Sequence, residues 1–326
     1  MVCGKQRVKV MRTTSASSVS SVSVDLDPLG CYYQIHGLAS FPTPLSDVVL
    51  LRGLPRFLEM FDRYRLPATF FVVGRDATGD RVGRPLLKQA AKLGHELGNH
   101  SFSHPYNLSR LAGPLIEQEL VACEQVLQQL RPEGSPKGFR APGYELSDAL
   151  LGVLRKLDFQ YDSSIFPCPA YYALKLAVLG GLWLRGRSSA SVVGSLGAQF
   201  SSTQPYFLKP TETVGTDSLV ELPVAVTKTL RLPVIGTFLL LSKALRKTLL
   251  CGMRGQPFFN LEFHGIDLLD AKMDGIPDAL VARQPDLRIP LWQKQAAMAE
   301  ILSALQNETE VCTLGEFSQR FRNRAG

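Results

Sequence analysis

Residues 68–100 have the sequence ATFFVVGRDATGDRVGRPLLKQAAKLGHELGNH, which contains a strand, a helix and a second strand in succession. The apolar run 68–73 is short and is followed by glycine, as is typical of a buried strand. Residues 85–93 begin with proline and are followed by glycine, the usual signature of a helix. The short run 96–100 then predicts the next strand. This unit predicts a parallel sheet covered by helices.

The same alternation extends to both sides of this unit. Further strands are predicted at 22–27, 138–140 and 159–162, and further helices at 51–64, 115–130 and 147–157. In parallel α/β folds the chemistry lies at the C-terminal ends of the strands. Five polar residues fall at such ends, namely Asp25, Asp27, His100, Arg140 and Asp162. The sequence therefore predicts a functional site at this edge of the sheet.

The length of 326 residues and the apolar share of 45% allow one large domain with a full core. Residues 1–21 are rich in Ser, Thr and Val and contain no acidic residue, which predicts a flexible N-terminal segment. We expect residues 22–326 to form a single catalytic domain with an insertion at about 170–251. No signal peptide is recognisable, so we expect a cytoplasmic location.

The net charge of +7 is concentrated in two stretches, 163–211 and 222–261, that contain no acidic residue. Their basic residues are Lys175, Arg185, Arg187, Lys209, Lys228, Arg231, Lys243, Arg246, Lys247 and Arg254. The apolar run 173–184 within them falls short of the ~20 residues that span a bilayer. It is either a core helix or an element of the membrane interface. Nucleic acid is not expected as a partner, because the basic residues alternate with Leu, Val and Gly more than with stacking aromatics.

Two short motifs contain residues that bind metal ions. In His100-Ser101-Phe102-Ser103-His104 the two histidines lie on one face if the segment turns as a helix. Asp25 and Asp27 share one face of a strand, and two such carboxylates are costly together unless a cation neutralises them. Each motif has a simpler explanation, surface histidines in one case and a capped strand end in the other. An Asp-X-Asp motif also occurs in glycosyltransferases that bind a metal diphosphate.

Two further motifs complete the set. Arg140-Ala141-Pro142-Gly143 follows a predicted strand, and an arginine buried there requires a carboxylate partner. Leu261-Glu262-Phe263-His264 predicts a strand that ends on a histidine. A surface arginine before a turn and an exposed loop histidine are the alternatives.

Taken in order, these motifs resemble the polysaccharide deacetylases that contain a NodB homology domain, a group similar to carbohydrate esterase family 4. The similarity extends from about Val22 to Phe317, and it is most specific in residues 94–105. It implies a distorted (β/α) barrel, here with the apolar, basic insertion.

The resemblance also implies roles for individual residues. Asp27, His100 and His104 would bind a divalent metal ion, zinc first, with cobalt, nickel or iron as alternatives. Leu26 separates the two aspartates that are usually adjacent in this family, so the division of roles between Asp25 and Asp27 is open.

The remaining roles concern proton transfer. Asp25 would be the general base, and Arg140 would hold it in position. His264 would protonate the leaving amine, and Asp162 would orient His264, although the usual Asp-Trp motif is not evident near Asp162.

The expected activity is hydrolysis of an N-acetyl or N-formyl group on an amino sugar. We expect the sugar to be linked to polyprenyl phosphate or to another lipid, and to be met at the cytoplasmic face of an anionic membrane. An ordinary solvated basic surface is the alternative interpretation of the two basic stretches. The alternatives are a deformylase or small-molecule amidohydrolase on the same scaffold, a glycosyltransferase, and a carbohydrate-binding relative without turnover.

Overall fold

The structure is a computed structural model that describes residues 18–38, 45–79, 81–184, 186, 189–190, 197–208 and 219–325. Its first strand begins at Val19, three residues before the predicted start. Residues 19 and 20 belong to the sheet because they pair with strands far along the chain, at Phe258 and at Glu310. Such long-range pairing leaves no trace in local periodicity. The rest of the predicted N-terminal segment, residues 1–17, lies outside the described residues.

Nine strands of the described residues form one sheet. They are β1 Val19–Asp25, β2 Thr69–Val72, β3 Glu96–Asn99, β4 Gly138–Phe139, β5 Tyr161–Asp162, β6 Tyr206–Phe207, β7 Val220–Glu221, β8 Phe258–His264 and β9 Glu310–Val311. The order across the sheet is β6-β7-β5-β4-β3-β2-β1-β8, and β9 pairs with the start of β1. All pairs are parallel except β6 with β7.

The sheet curls until its two ends meet. Val224, just after β7, bridges to Asn260 of β8, and Ile235 bridges to Glu262 of the same strand. The backbone N–H of Ala225 donates to the Asn260 carbonyl at 2.9 Å. The predicted distorted (β/α) barrel is confirmed, and its closure brings the C-terminal ends of β1 and β8 next to the loop after β4.

Helices surround the sheet. They are α1 Leu29–Ile35, α2 Leu54–Tyr64, α3 Arg84–Lys92, α4 Gly113–Gln128, α5 Asp148–Lys156, α6 Pro169–Trp183, α7 Gly236–Leu241, α8 Lys243–Cys251, α9 Asp278–Val281, α10 Leu291–Glu308 and α11 Leu314–Ala325. The core lies between sheet and helices. Phe57 of α2, for example, meets Phe263 of β8 with ring centroids 6.1 Å apart. Burying each such ring contributes about 1.5–3 kcal/mol.

Helix α6 is not a core helix. Of its fifteen residues only Tyr172 and Leu182 are buried, although the helix is almost entirely apolar. The structure therefore rejects the first of the two interpretations of the run 173–184. None of the helices among the described residues combines the length and apolar character needed to cross a bilayer.

Four basic residues of the second carboxylate-free stretch lie away from the predicted site. Lys243, Arg246, Lys247 and Arg254 line a cavity beside Ser18, at the N-terminal end of the strands. Since a strand rises ~3.3 Å per residue, this cavity is roughly 20 Å from the C-terminal end of β1. These four charges therefore lie far from the predicted site, because α8 packs across the opposite end of the barrel. Arg185, Arg187 and Lys209 lie outside the described residues.

Lys243 and Arg246 are also paired. Their side-chain nitrogens lie 3.8 and 2.8 Å from the Glu300 carboxylate. Arg246 is buried, and its guanidinium also donates to the Leu239 carbonyl. Arg246 is therefore internal to the fold, whereas the Lys243 side chain is 82% exposed.

Candidate active site

The segment His100–His104 leaves β3 as a loop, and the helical turn considered for it is absent. Ser101 and His104 have φ of +60° and +57°, a left-handed conformation that costs each residue roughly 1–2 kcal/mol. Side chains hold the loop in this shape. The Ser101 N–H donates to Asn99 Oδ1, and the His104 N–H donates to Ser101 Oγ. The tight loop turns both imidazoles to the same side, which a helix would also have done.

The Glu119 carboxylate of α4 fastens the loop from outside. It accepts hydrogen bonds from the backbone N–H groups of Phe102 and Ser103 and from the Ser103 hydroxyl, at 2.8–3.0 Å. Backbone donors with no partner in the sheet are thereby satisfied. The strain of the loop is offset by bonds to a neighbouring helix, which local sequence does not reveal.

Asp27, His100 and His104 converge on one point. Asp27 Oδ1 lies 3.1 Å from His100 Nε2 and 3.2 Å from His104 Nε2. All three side chains are buried. Asp27 Oδ1 and His104 Nε2 have no hydrogen-bond partner among the described residues, and unpaired buried polar atoms are costly. A divalent ion fits this arrangement, because one carboxylate and two imidazoles are a common ligand set.

The other ring nitrogens fix the two imidazoles. His100 Nδ1 donates to the Arg140 carbonyl at 2.7 Å, which leaves the Nε2 lone pair directed at the cluster. His104 Nδ1 lies 3.3 Å from Cys31 Sγ. Such contacts orient metal-binding histidines in proteins.

The charges of the cluster also favour a cation. Burial alone would lower the pKa of His104, but the Asp27 carboxylate and the Cys31 thiol raise it to about 9. Burial would raise the pKa of Asp27, yet the two histidines hold it well below its usual value. The pocket therefore stabilises positive charge beside Asp27, which protons or a metal ion can supply.

Arg140 is completely buried and supplies the contact expected with Asp25. Its Nη1 donates to Asp25 Oδ1 at 2.6 Å and to Glu262 Oε1 at 3.2 Å. Nε and Nη2 donate to the carbonyl and hydroxyl oxygens of Ser163. The guanidinium carbon lies 4.3 Å from the Phe71 ring centroid. These contacts fix Asp25 at the end of β1 with Oδ2 facing the cluster, 3.8 Å from His100 Nε2.

His264 ends β8 opposite Asp25. Its backbone N–H donates to Asp267 Oδ2, and its Nε2 lies 3.5 Å from the Tyr144 hydroxyl. Burial would lower its pKa, but the carboxylates of Glu262 and Asp25, with lesser contributions from others, raise the pKa to about 9. The imidazole is therefore protonated at neutral pH and available as a proton donor.

Asp162 does not lie against His264, and the prediction that it orients this residue is wrong. Its carboxylate accepts hydrogen bonds from the backbone N–H and the hydroxyl of Ser164. It also interacts with Glu221, a neighbour created by the pairing of β5 with β7. Asp162 thus supports the loop after β5, because its hydrogen bonds go to Ser164 and its neighbouring carboxylate is Glu221 of β7.

Glu262 and Tyr144 take the position expected of Asp162, and the motif analysis missed both as contributors to the site. Glu262 is fully buried, and the Tyr144 hydroxyl donates to its Oε1 at 2.8 Å. Burial and the Asp25 carboxylate raise the pKa of Glu262 to about 8, although the Arg140 guanidinium acts in the opposite direction. A signal was present: a glutamate in the middle of the apolar strand 258–264 predicts a buried carboxylate with a partner.

A second group of potential ligands, Asp25, Glu262 and His264, also lies close enough to hold a metal ion. Arg140 already donates to both carboxylates, so the guanidinium supplies the positive charge there. The cluster of Asp27, His100 and His104 contains no such guanidinium, so its ligand atoms are the better candidates to hold a metal ion.

Both groups open into one cavity of about 330 Å³ at the C-terminal end of the sheet. Asp25, Asp27, His100 and His264 line its polar side. Ile35, Leu174, Val178, Leu179, Ile235, Phe238 and Ile266 line its apolar side. Both carboxylate-free stretches thus contribute apolar residues to the active-site mouth. Among the described residues that line it, Lys175 is the one lysine or arginine.

Residues 49–161 match the family model for polysaccharide deacetylase. This segment contains His100, His104 and Arg140. The peptidoglycan deacetylase of Helicobacter pylori is 29% identical over 144 residues, 44% of this chain and 47% of that protein. The chitooligosaccharide deacetylase of Sinorhizobium fredii is 34% identical over 98 residues, 30% of this chain and 43% of that protein. The matches thus span less than half the length of these curated relatives.

Two solved structures share the fold over nearly the whole chain. A Mycobacterium smegmatis protein assigned to the polysaccharide deacetylases superposes with a TM-score of 0.58 at 18% identity, covering 97% of this chain and 94% of that one. A Pseudomonas aeruginosa protein with the same assignment gives 0.57 at 13% identity, covering 94% and 92%. Residues 49–161 thus match the polysaccharide deacetylase model, and the chain shares the fold of these two proteins over nearly its whole length.

Proposed function

We propose that the protein hydrolyses the N-acyl amide of an amino sugar at a metal ion held by Asp27, His100 and His104. One observation carries this proposal. The ligand atoms of Asp27, His100 and His104 lie within 4.8 Å of one another, close to the Asp25–Arg140 pair, and they share with His264 the region of one cavity. The names of the relatives support an amide of an acylated sugar as the substrate class. We propose zinc as the ion, with cobalt, nickel and iron as the other outcomes of a metal analysis.

The residues divide the reaction between them. When bound, a divalent ion would lower the pKa of a water molecule and polarise the acyl carbonyl. Asp25, held by Arg140, accepts the proton of the attacking water. His264 donates a proton to the amide nitrogen, which must be protonated before the C–N bond breaks. The apolar side of the cavity excludes water, and this strengthens the electrostatic interactions within it.

His264→Ala should lower kcat by about 10²–10⁴-fold and leave the metal content unchanged, because the residue acts as the proton donor. Its raised pKa keeps the acid form present below pH of about 9, and the wild-type rate should fall as pH rises through that value. The variant should lose this alkaline limb. Steady-state rates from pH 6 to 10 and metal analysis test both points, and an unchanged rate would remove His264 from the mechanism.

Tyr144→Phe and Glu262→Gln should each lower kcat more than Asp162→Asn does, because only Tyr144 and Glu262 lie beside His264 and Arg140. Since they act by positioning, the pH at which the alkaline limb occurs should shift in Glu262→Gln. Loss of the nearby negative charge would move it downward. Rate–pH profiles of the three variants provide the measurement, and an effect confined to Asp162→Asn would contradict this arrangement.

We extend the proposal to an amino sugar linked to a lipid through phosphate. Its support is the apolar side of the cavity, where Leu174, Val178 and Phe238 face the catalytic groups. Lys175, beside the Tyr171 ring, provides a cation at the same wall. The cytoplasmic face of a membrane is the proposed location, which cell fractionation tests.

A glycosyltransferase is less well supported. An Asp-X-Asp motif that binds a metal diphosphate needs both carboxylates free, whereas Asp25 is committed to Arg140 and Asp27 to two histidines. Release of free amine and of acetate or formate from N-acetyl and N-formyl amino sugars, supplied free, polymeric and lipid-linked, tests the function. Stoichiometric metal without turnover on any of them would favour a binding relative.

A further inference from the structure

Helix α6 exposes apolar side chains that a folded protein normally covers. Leu174, Leu176 and Val178 are 50–55% exposed, Trp183 is 77% exposed and Leu184 is 78% exposed. We call these five residues the α6 surface. Single exposed apolar residues are ordinary, but a run of them along one helix marks a contact surface.

The α6 surface is continuous with the active-site cavity. Leu174, Lys175, Val178 and Leu179 line that cavity together with His264, while Leu176, Trp183 and Leu184 lie outside it. Whatever covers α6 therefore meets the opening through which a substrate reaches Asp25 and His264.

Neighbouring turns add to the exposed apolar area. The 3-10 turn Ala198–Phe200 packs near α6, and Phe200 is 70% exposed. Arg231 Nη1 fastens this turn by donating to the carbonyls of Gln199 and Ser201. Leu230, next to Arg231, is 73% exposed.

The charge of this region is positive. Residues 163–211 and 222–261, which include α6 and both turns, contain no acidic residue. Lys175 lies on α6 and Arg231 lies next to the exposed Leu230, and the Glu145 carboxylate near Lys175 is buried and paired with Arg110. Apolar side chains mixed with cations match an anionic lipid surface. The same mixture would bring like charges together in a symmetric contact with a second copy of the chain, which disfavours a dimer.

We propose that the α6 surface docks on an anionic membrane, with the cavity opening held against the lipid. A lipid-linked sugar could then enter the cavity while its chain stays along α6; this last step rests on the proposed function, whereas the docking itself does not. The basic cavity at Lys243 and Lys247, at the opposite end of the barrel, faces away from the membrane in this arrangement.

Vesicle binding tests the docking. The chain contains two tryptophans, so Trp292→Phe leaves Trp183 as the reporter. With vesicles of phosphatidylglycerol and phosphatidylcholine, Trp183 emission should shift to shorter wavelength and be quenched by lipids brominated on the acyl chain. Vesicles of phosphatidylcholine alone should bind weakly, and salt should weaken binding to the anionic vesicles.

Matched variants locate the surface. Leu176→Gln combined with Trp183→Gln and Leu184→Gln should lower co-sedimentation with anionic vesicles by at least about ten-fold, because apolar insertion drives such binding. Lys243→Gln combined with Lys247→Gln should leave it unchanged, as should Leu93→Gln, which alters an exposed leucine at the end of α3. Circular dichroism confirms that the variants remain folded.

Several outcomes would overturn the docking. These are absence of binding to anionic vesicles, equal binding by the α6 variant, and equal loss in the Lys243 and Lys247 variant. A dimer in solution that the α6 substitutions dissociate would instead identify a second copy as the occupant. Docking by the wild-type protein without hydrolysis of any amino sugar would contradict the proposed function alone. Vesicle binding by Asp25→Asn tests the docking independently of turnover.

Discussion

Replacing His104 with alanine is expected to remove the bound metal ion and with it all measurable amide hydrolysis. The three candidate ligand atoms lie within 4.8 Å of one another, so each contributes to a single site, and two remaining ligands rarely hold a catalytic ion. His100→Ala should have the same effect. Metal analysis by mass spectrometry after gel filtration, together with the rate of amine release, provides the measurement.

A matched histidine makes this test specific. His36 lines the same cavity but pairs with Gln284 at 2.8 Å and lies outside the cluster, so His36→Asn should keep its metal. Removal of the ion should also lower the thermal midpoint, because ligand binding to the folded state is lost. If His100→Ala and His104→Ala both retain one ion per chain, the assignment of the site is wrong.

Asp25→Asn is expected to leave the metal bound and to lower kcat by about 10²–10⁴-fold, because an amide cannot accept the proton that a carboxylate accepts. The substitution preserves shape, and Arg140 keeps its contacts with Glu262 and Ser163. Asp27→Asn should instead weaken metal binding, since Asp27 Oδ1 lies between the two histidines.

The two aspartates can be compared directly. Metal titration of the apoprotein gives the affinity of each variant, and turnover at saturating metal separates binding from chemistry. Reduced affinity in Asp25→Asn together with normal affinity in Asp27→Asn would show that the two roles are exchanged. This pair of measurements addresses the division of roles that the intervening Leu26 leaves open in the sequence.

Much of the fold follows from local pattern. The unit at 68–100 appears as β2, α3 and β3 within one or two residues of the predicted bounds, because burial period, proline and glycine act over a few residues. The predicted helix 147–157 begins at Ser147, whose hydroxyl caps α5 by accepting from the Leu150 N–H at 3.2 Å. Strand pairing between segments that are far apart in the chain could not be predicted from local pattern. The start of β1 depends on β8 and β9, which lie more than 230 residues away in the chain.

The candidate site shows the same division. Asp25, Asp27, His100 and Arg140 are close together in space because parallel strands end at one edge, a consequence of topology that the alternation of elements already implies. The alternation of elements did not predict which residues lie beside His264, because the arrangement of the strands in the closed sheet decides which loops come together. The structure pairs Asp162 with Ser164 and Glu221, and it places Tyr144, from the loop after β4, and Glu262 of β8 beside His264.

The sequence by itself determined the α/β class, the strand ends at which polar residues cluster, and the chemical types of ligand, base and acid, because these depend on residue identity and short-range periodicity. Only the tertiary structure decided which carboxylate supports Arg140 and His264, that α6 lies outside the core, and that the basic residues of α8 face the opposite end of the barrel. The number of charges along the chain does not show which end of the barrel they face, and a helix acquires its buried face only when it packs against other elements. Closure of the barrel determines both the end at which the charges of α8 lie and the exposure of α6.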